Sequence, residues 1–311
     1  MELVRGLHNI NDKHRGCVLT IGNFDGVHLG HQKVLQQVVA QAKSLGLPSV
    51  VMTFEPQPYE YFSQEQAPAR LMRLREKIYA LLQQGVDYVF CLPFNAKTRH
   101  LSATDFIEQV LLDGLAVRYL VVGDDFRFGC DRKGDYALLQ QWGERSGFAV
   151  NDTPTHCLGD LRISSTRVRQ LLVEGHFDQA ATLLGQPYCI SGRVTHGNKL
   201  GRTIGVPTAN MHLRRYSAPL SGVFAVKVKL SDGQYYYGVA NVGVKPTVGG
   251  ITRPILEVHL FEFDQDIYGQ QISVTFVQKL RDEQKFADFG ALTAQIARDI
   301  SQAKQLFGLE A

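Results

Sequence analysis

The chain has 311 residues, 44% of them hydrophobic, and a formal net charge of +3. That length supports a sizeable core and about two domains, and the scattered Lys and Arg, with no basic block, argue against a dedicated nucleic-acid binder. The five cysteines form no CxxC pair, which argues against a disulfide framework or a structural zinc site and reads as reduced, cytosolic thiols. MELVRGLHNI lacks the apolar centre of a signal peptide. No apolar run approaches the roughly 18 residues of a membrane span, so a soluble cytoplasmic protein is expected, with no membrane or nucleic-acid partner and no oligomeric state assigned.

The first half alternates between strand and helix patterns. CVLTI (17–21) reads as a buried strand, and HQKVLQQVVAQAKSLG as a helix closed by Gly46. SVVMTF is a strand, ARLMRLREKIYALLQQG (69–85) a helix, VDYVFCLPF a strand, SATDFIEQVLLDGL a helix and RYLVVGDDF a strand. DYALLQQWGERSG is helical, FAVNDT a short strand, and SSTRVRQLLVEG and FDQAATLLG two short helices. Such alternation predicts a doubly wound parallel sheet, with ligands at the carboxyl ends of its strands. After Gln186-Pro187 the pattern becomes short alternating segments: YCISGRVT, VFAVKVKL, YYYGVANV, ILEVHLF and QISVTFVQKL. These predict an antiparallel barrel or sandwich, followed by a terminal helix over 286–309.

The stretch LTIGNFDGVHLGHQ (19–32) sits where the first strand hands over to the first helix. Gly22, Gly26 and Gly30 let the backbone turn and a ligand approach. A helix N-terminus offers free N–H groups and a positive dipole end, and His28 and His31, three apart, share a face. A zinc site, a catalytic pair, a phosphate cradle and a plain turn with surface histidines all compete. Zinc needs a third ligand at a telling spacing, which is not found, and the strand–loop–helix setting favours the cradle.

Asn-Phe-Asp-Gly followed by His-x-Gly-His, over Gly22, Asn23, Phe24, Asp25, Gly26, His28 and His31, resembles the GxFDxxHxGH signature of the nucleotidyltransferase superfamily. The resemblance implies attack by an anionic acceptor on the α-phosphorus of ATP, with release of pyrophosphate. Such an acceptor needs no base, so His28 and His31 are expected to stabilise charge and not to bind metal. VGDDFRFGCDRKGD (122–135) follows an apolar strand, and RISSTRVRQLL (162–172) opens a helix with hydroxyls and the arginines Arg167 and Arg169. Those groups could grip a triphosphate, although an ordinary Ser N-cap with solvated arginines explains them too.

Together these segments resemble the adenylyltransferase half of the bacterial bifunctional riboflavin kinase/FMN adenylyltransferases (FAD synthetases), and the likeness extends over essentially the whole chain. It implies that Ser165, Thr166 and the catalytic Arg169 contact ATP phosphates, with Arg162 nearby. It places Asp124, Asp125 and Phe126 beside the flavin or the nucleotide. Phe54, Pro56 and Pro58 of FEPQP line the flavin pocket, or else form a rigid loop. PARLMRLREK looks like a family segment and receives no chemistry.

In the second half, HGNKLGRTIGVPTANM (196–211) combines Gly197, Gly201 and Gly205 with Lys199 and Pro207-Thr208-Ala209-Asn210. No GK[ST] follows, so this is not a Walker A loop. Thr208 and Asn210, two apart in an extended segment, point to one side, and a Thr hydroxyl with phosphate oxygens suits Mg²⁺. PTAN resembles the riboflavin kinase motif, which implies that Thr208 and Asn210 bind Mg·ATP; a glycine-rich hairpin is the plainer alternative. Phosphorylating an alcohol benefits from a base, and Glu257 in ILEVHLFEFDQDIYG alternates with apolar residues so that it can face a pocket. The family's ExHL context supports Glu257; His259 on the same face is expected to be structural. GVANVGVKPTVGG (238–250) is expected to form a loop over the ligand, and KLRDEQKF (279–286) to start the terminal helix region; by resemblance its Arg281 and Phe286 lie on the flavin side, and otherwise it is an ordinary solvated charge run.

The expected protein is therefore α/β. A doubly wound parallel-sheet nucleotidyltransferase domain over 1–186 joins an antiparallel β-barrel kinase domain with a terminal helix over 187–311. With ATP and Mg²⁺ it would convert riboflavin to FMN and then to FAD. A chain with one degenerate site, a flavin- or nucleotide-binding regulator and an RNA-binding barrel are the alternatives. The presence of His28, His31, Thr208 and Glu257 and the absence of a basic-aromatic stripe weigh against them.

Overall fold

The computed structural model describes residues 2–310 except 64, 155, 160, 198–200, 202–204 and 247–251. Its contacts divide the chain into two units, Met1–Pro68 with Leu74–Ser165, and Ala69–Arg73 with Thr166–Ala311.

In the first unit the apolar runs become β1 (Glu2–Arg5), β2 (Val18–Ile21), β3 (Ser49–Glu55), β4 (Tyr88–Pro93), β5 (Tyr119–Gly123) and β6 (Ala149–Thr153). They form one all-parallel sheet in the order β1-β4-β3-β2-β5-β6. Helices α1 (Leu29–Leu45), α2 (Pro58–Phe62), α3 (Leu74–Gln83), α4 (Ala96–Arg99), α5 (Ala103–Phe106) and α6 (Tyr136–Ser146) lie between the strands in sequence. All four residues of β2 are buried because both faces of the sheet are covered. Val18 and Val121 pack with Val38 and Ala42 of α1 on one side. Leu19, Met52, Phe90 and Leu120 pack with Phe106, Ile107 and Val110 on the other. The strand order reverses at β2 and β5, so the crevice for ligand opens at their carboxyl ends. A two-stranded ribbon, β7 (Cys157–Leu158) and β8 (Leu161–Arg162), follows the sheet.

Helices α7 (Ser165–Glu174) and α8 (Phe177–Leu184) precede the second sheet. Strands β9 (Cys189–Arg193), β10 (Ala209–His212), β11 (Gly222–Lys229), β12 (Tyr235–Pro246), β13 (Thr252–Leu260) and β14 (Gln271–Arg281) pair antiparallel in the order β10-β13-β12-β11-β14-β9. Irregular register at Val223/Phe224 and Ala225/Val226 bends β11. An isolated bridge, Thr195 to Asn210, joins the two edges into a nearly closed barrel. The terminal helix α9 (Phe289–Leu306) sets Ala303 against Ala225 and Phe261.

Several local expectations change. The helix expected over 69–85 is confined to α3, beginning at Leu74. Residues 69–73 instead spend their carbonyls on side chains of the second unit: Arg169 Nε donates to Ala69 O (2.6 Å), Arg215 Nη1 to Arg70 O (2.8 Å) and Tyr188 Oη to Leu71 O (3.0 Å). Those tertiary bonds replace the i+4 amides of a helix and override good helix propensity. Of the expected 238–250 loop, residues through Pro246 belong to β12, paired along β13, and 247–250 lie outside the described residues. Arg281 ends β14 and does not start the terminal helix, which begins only after the cap Asp288 accepts from Ala291 N–H (2.8 Å).

Candidate active sites

The first candidate site grows from the end of β2. After Ile21 the chain turns through Phe24 (φ 47°), Gly26 (φ 85°) and Val27 (φ 41°). Only the glycine adopts such a conformation freely, so two non-glycine residues held there mark an over-determined loop. Phe24, Asp25, Val27 and His28 are all buried. His28 caps α1: its Nδ1 accepts the His31 backbone N–H at 3.3 Å. With Nδ1 accepting, the neutral ring carries its proton on Nε2. The two imidazoles stack, with centroids 3.6 Å apart and planes 15° apart, and Phe24 sits 5.1 Å from the His31 ring. Burial first, then the neighbouring His28 and Lys77 charges, push the His31 pKa well below the usual histidine range. His31 is therefore a neutral ring, and its buried Nδ1 finds no hydrogen-bond partner among the described residues.

The companion segments reach the same edge of the sheet. Ser165 Oγ donates to Asp25 O at 2.8 Å, and Arg162 pairs with Asp125 at 3.1 Å in an exposed bridge. Asp124, Asp125 and Phe126 directly follow β5, the in-register neighbour of β2. Phe54 ends β3 in an edge contact with Phe94 (6.0 Å), and Pro58 opens α2 after the Glu55-Pro56 bond. Arg169 and Thr166 belong to the second unit, where Arg169 is engaged by Ala69 O and Thr166 is on the first turn of α7.

The second candidate site is written in strand register. On β13, Glu257 faces Asn210 of β10 on one side and Asn241 of β12 on the other. Directly opposed residues share a face with Cβ atoms about 5 Å apart, so the carboxylate stands between two amides. Asn210 is buried, and its Nδ2 donates to Thr208 O at 3.2 Å and lies 3.5 Å from Thr208 Oγ1. A Cβ on Gly197 would collide with that amide, so the loop before β10 approaches it as glycine alone can. His259 Nδ1 contacts Pro207 O at 2.9 Å and ties β13 to the start of the PTAN run. A cavity of about 370 Å³ lies beside Pro207, Thr208 and Ala209, walled by Val258, Phe263 and Tyr268. Val258 is on the other face of β13 from Glu257, so the cavity and the carboxylate occupy opposite sides of one strand, with Thr208 at the rim.

Other expected residues are engaged structurally. Arg281 forms a fork with buried Asp299 of α9 (2.8–3.0 Å) and stacks 5.6 Å from the Phe286 ring. Gly205 has φ 72°, Gly201 passes against Val206 O, and Lys199 lies outside the described residues. Three features escape the sequence patterns: Asn241, the Phe94/Tyr61/Phe62 aromatic group, and Lys77, which is fully buried on α3. Strand register is the signal that finds Asn241. The signal for Lys77 is its place on the apolar stripe of α3, one turn before Leu81.

Residues 10–167 match the FAD synthetase family model and residues 184–307 the riboflavin kinase model. The chain is 52% identical over 306 residues to the bifunctional riboflavin kinase/FMN adenylyltransferase of Pseudomonas fluorescens, covering 98% of each. It is 51% identical over 310 residues to that of Escherichia coli strain K12, covering 99% of each. The chain belongs to this family. It is a riboflavin kinase in its C-terminal half and an FMN adenylyltransferase in its N-terminal half, with riboflavin, FMN and ATP as substrates. A solved structure described as a macrolide-efflux protein from Streptococcus pneumoniae shares the fold of this kinase/adenylyltransferase at a TM-score of 0.78 and 32% identity, covering 96% of this chain and 97% of that one. Among the described residues no helix is long and apolar enough to cross a membrane.

Proposed function

We propose that the two activities are carried by the two sites just described, with adenylyl transfer in residues 1–186 and phosphorylation in 187–311 of a cytoplasmic enzyme. The observation that carries the kinase reading is the Asn210–Glu257–Asn241 register. Glu257 takes the proton of the riboflavin 5′-hydroxyl as its oxygen bonds to the γ-phosphorus of ATP, and the bond to the bridging oxygen breaks to release ADP. Asn210 and Asn241 hold the carboxylate between two amides, and the ATP base enters the cavity beyond Pro207. Gly197, Gly201 and Gly205 line the phosphate path, and Arg281 and Phe286 bound the flavin end. Thr208 Oγ1 lies 3.5 Å from the nitrogen of the Asn210 side-chain amide, so one hydroxyl and one amide group are neighbours, and their two oxygens are a donor set of the kind magnesium takes with phosphate oxygens completing its shell. Magnesium there would neutralise charge on the transferring phosphate.

In the first unit the FMN phosphate oxygen bonds to the α-phosphorus of ATP while the α–β bridging bond breaks and pyrophosphate leaves. His28 Nε2–H and the neutral His31 donate to the charge that develops there, helped by the N-terminus of α1. Gly22, Asn23, Phe24, Asp25 and Gly26 shape the phosphate loop. Arg162, Ser165, Thr166 and Arg169 take the remaining phosphates. Phe54, Pro56, Pro58, Asp124, Asp125 and Phe126 border the flavin.

The test is FMN formation from riboflavin and ATP, followed by chromatography across a magnesium titration. Thr208→Val should need far more magnesium and turn over roughly a hundredfold more slowly. An unchanged magnesium dependence would remove Thr208 from the metal site.

A further inference from the structure

Helix α3 contributes a lysine to the floor of the first site. Lys77 has no exposed surface, and its ammonium donates to Asn23 O at 2.9 Å and to Thr53 Oγ1 at 3.1 Å. Asn23 begins the loop that ends at His28, and Thr53 is a fully buried residue of β3. A long cationic side chain is rarely taken wholly out of water, because desolvating the charge is costly. The site above it receives a triphosphate.

We propose that Lys77 is a positioning residue of the adenylyl-transfer site, fixing the Asn23 turn from beneath and placing a buried positive charge that favours the nucleotide phosphates. This rests on the reading of the first unit given above. The geometry supports both parts. The Asn23 carbonyl bond sets the entry of the strained Phe24–Val27 turn. Among the described residues, His28 is stacked on His31 from the start of α1, Lys77 acts on it from α3, and Asp25 is buried in the loop between. Burial is the main reason that His31 resists protonation, and the Lys77 ammonium adds to it.

The experiment follows FAD formation from FMN and ATP as a function of pH in the full-length protein, with FMN formation from riboflavin recorded as the measure of an intact second unit. Lys77→Met should lower kcat for FAD formation roughly a hundredfold by freeing the loop. It should also move the acid limb of the profile up, because one of the causes that disfavour the protonated His31 is gone. Lys77→Arg, which keeps the charge but not the shape, should lose rate while its acid limb stays at the wild-type position. A wild-type rate in Lys77→Met, or a rate loss with no movement of its acid limb, overturns the proposal. So does an equal shift of the limb in Lys77→Arg. His28→Ala run in parallel separates the two levels: if it leaves FAD formation intact, the site itself has been misplaced, whatever Lys77 does.

Discussion

The proposed phosphate site of the first unit is a helix end and a strained loop, with a cap histidine at the end of a parallel strand. The proposed site of the barrel is made by register: three side chains on adjacent antiparallel strands fall opposite one another, and Gly197 passes close against one of them, Asn210. One acceptor arrives as an anion and needs donors; the other arrives as an alcohol and needs a base. The backbone of each unit matches that demand. A parallel sheet ends in helix N-termini, whereas an antiparallel sheet can set a carboxylate between two amides.

The contrast between the units breaks if damage to one site spreads to the other reaction. The largest effect is expected from Glu257→Gln, which should slow FMN formation roughly 10²–10⁴-fold and leave FAD formation from supplied FMN unchanged, measured by flavin chromatography. Next, His28→Ala should cut FAD formation roughly 10²–10³-fold and leave riboflavin phosphorylation intact. Gly197→Ala forces a Cβ into the Asn210 amide, so the KM for ATP in the kinase reaction should rise by about tenfold, with adenylyl transfer untouched.

Stability separates the units as well. Asp299→Ala leaves Arg281 without its buried partner and should destabilise the barrel unit by about 3–5 kcal/mol in denaturant unfolding. The smallest effect concerns pH. His31 resists protonation in the folded state, so below the ordinary histidine value the unfolded chain binds more protons than the folded one. Stability of the first unit should therefore fall as pH drops from about 6.5. His31→Gln should flatten that slope in melting curves taken across pH.

Much of the fold and of both sites is legible in the amino-acid sequence. The strand runs around β2 and β5 are apolar on both faces, and that alone announces a covered parallel sheet. GNFDG and PTAN sit at the two candidate sites, because glycine and small polar residues are demanded wherever backbone approaches phosphate. What local patterns hide is long-range. The bonds from Tyr188, Arg169 and Arg215 that unwind residues 69–73 come from far along the chain, and no local propensity records them. Asn241 becomes a neighbour of Glu257 only through pairing of β12 with β13. Arg281 reads as an exposed charge in KLRDEQKF, yet Asp299 of α9 takes it into a buried fork.

The independence of the two sites is tested most directly by mixing the His28→Ala and Glu257→Gln proteins with riboflavin, ATP and Mg²⁺ and measuring FAD. Over the time in which the wild-type protein converts riboflavin to FAD, each alone should yield little FAD, the first stopping mainly at FMN and the second leaving most of the riboflavin unconverted. Together they should restore FAD, because FMN released by one is adenylylated by the other. A mixture that accumulates FMN without FAD would contradict the assignment of the two chemistries to two separate sites.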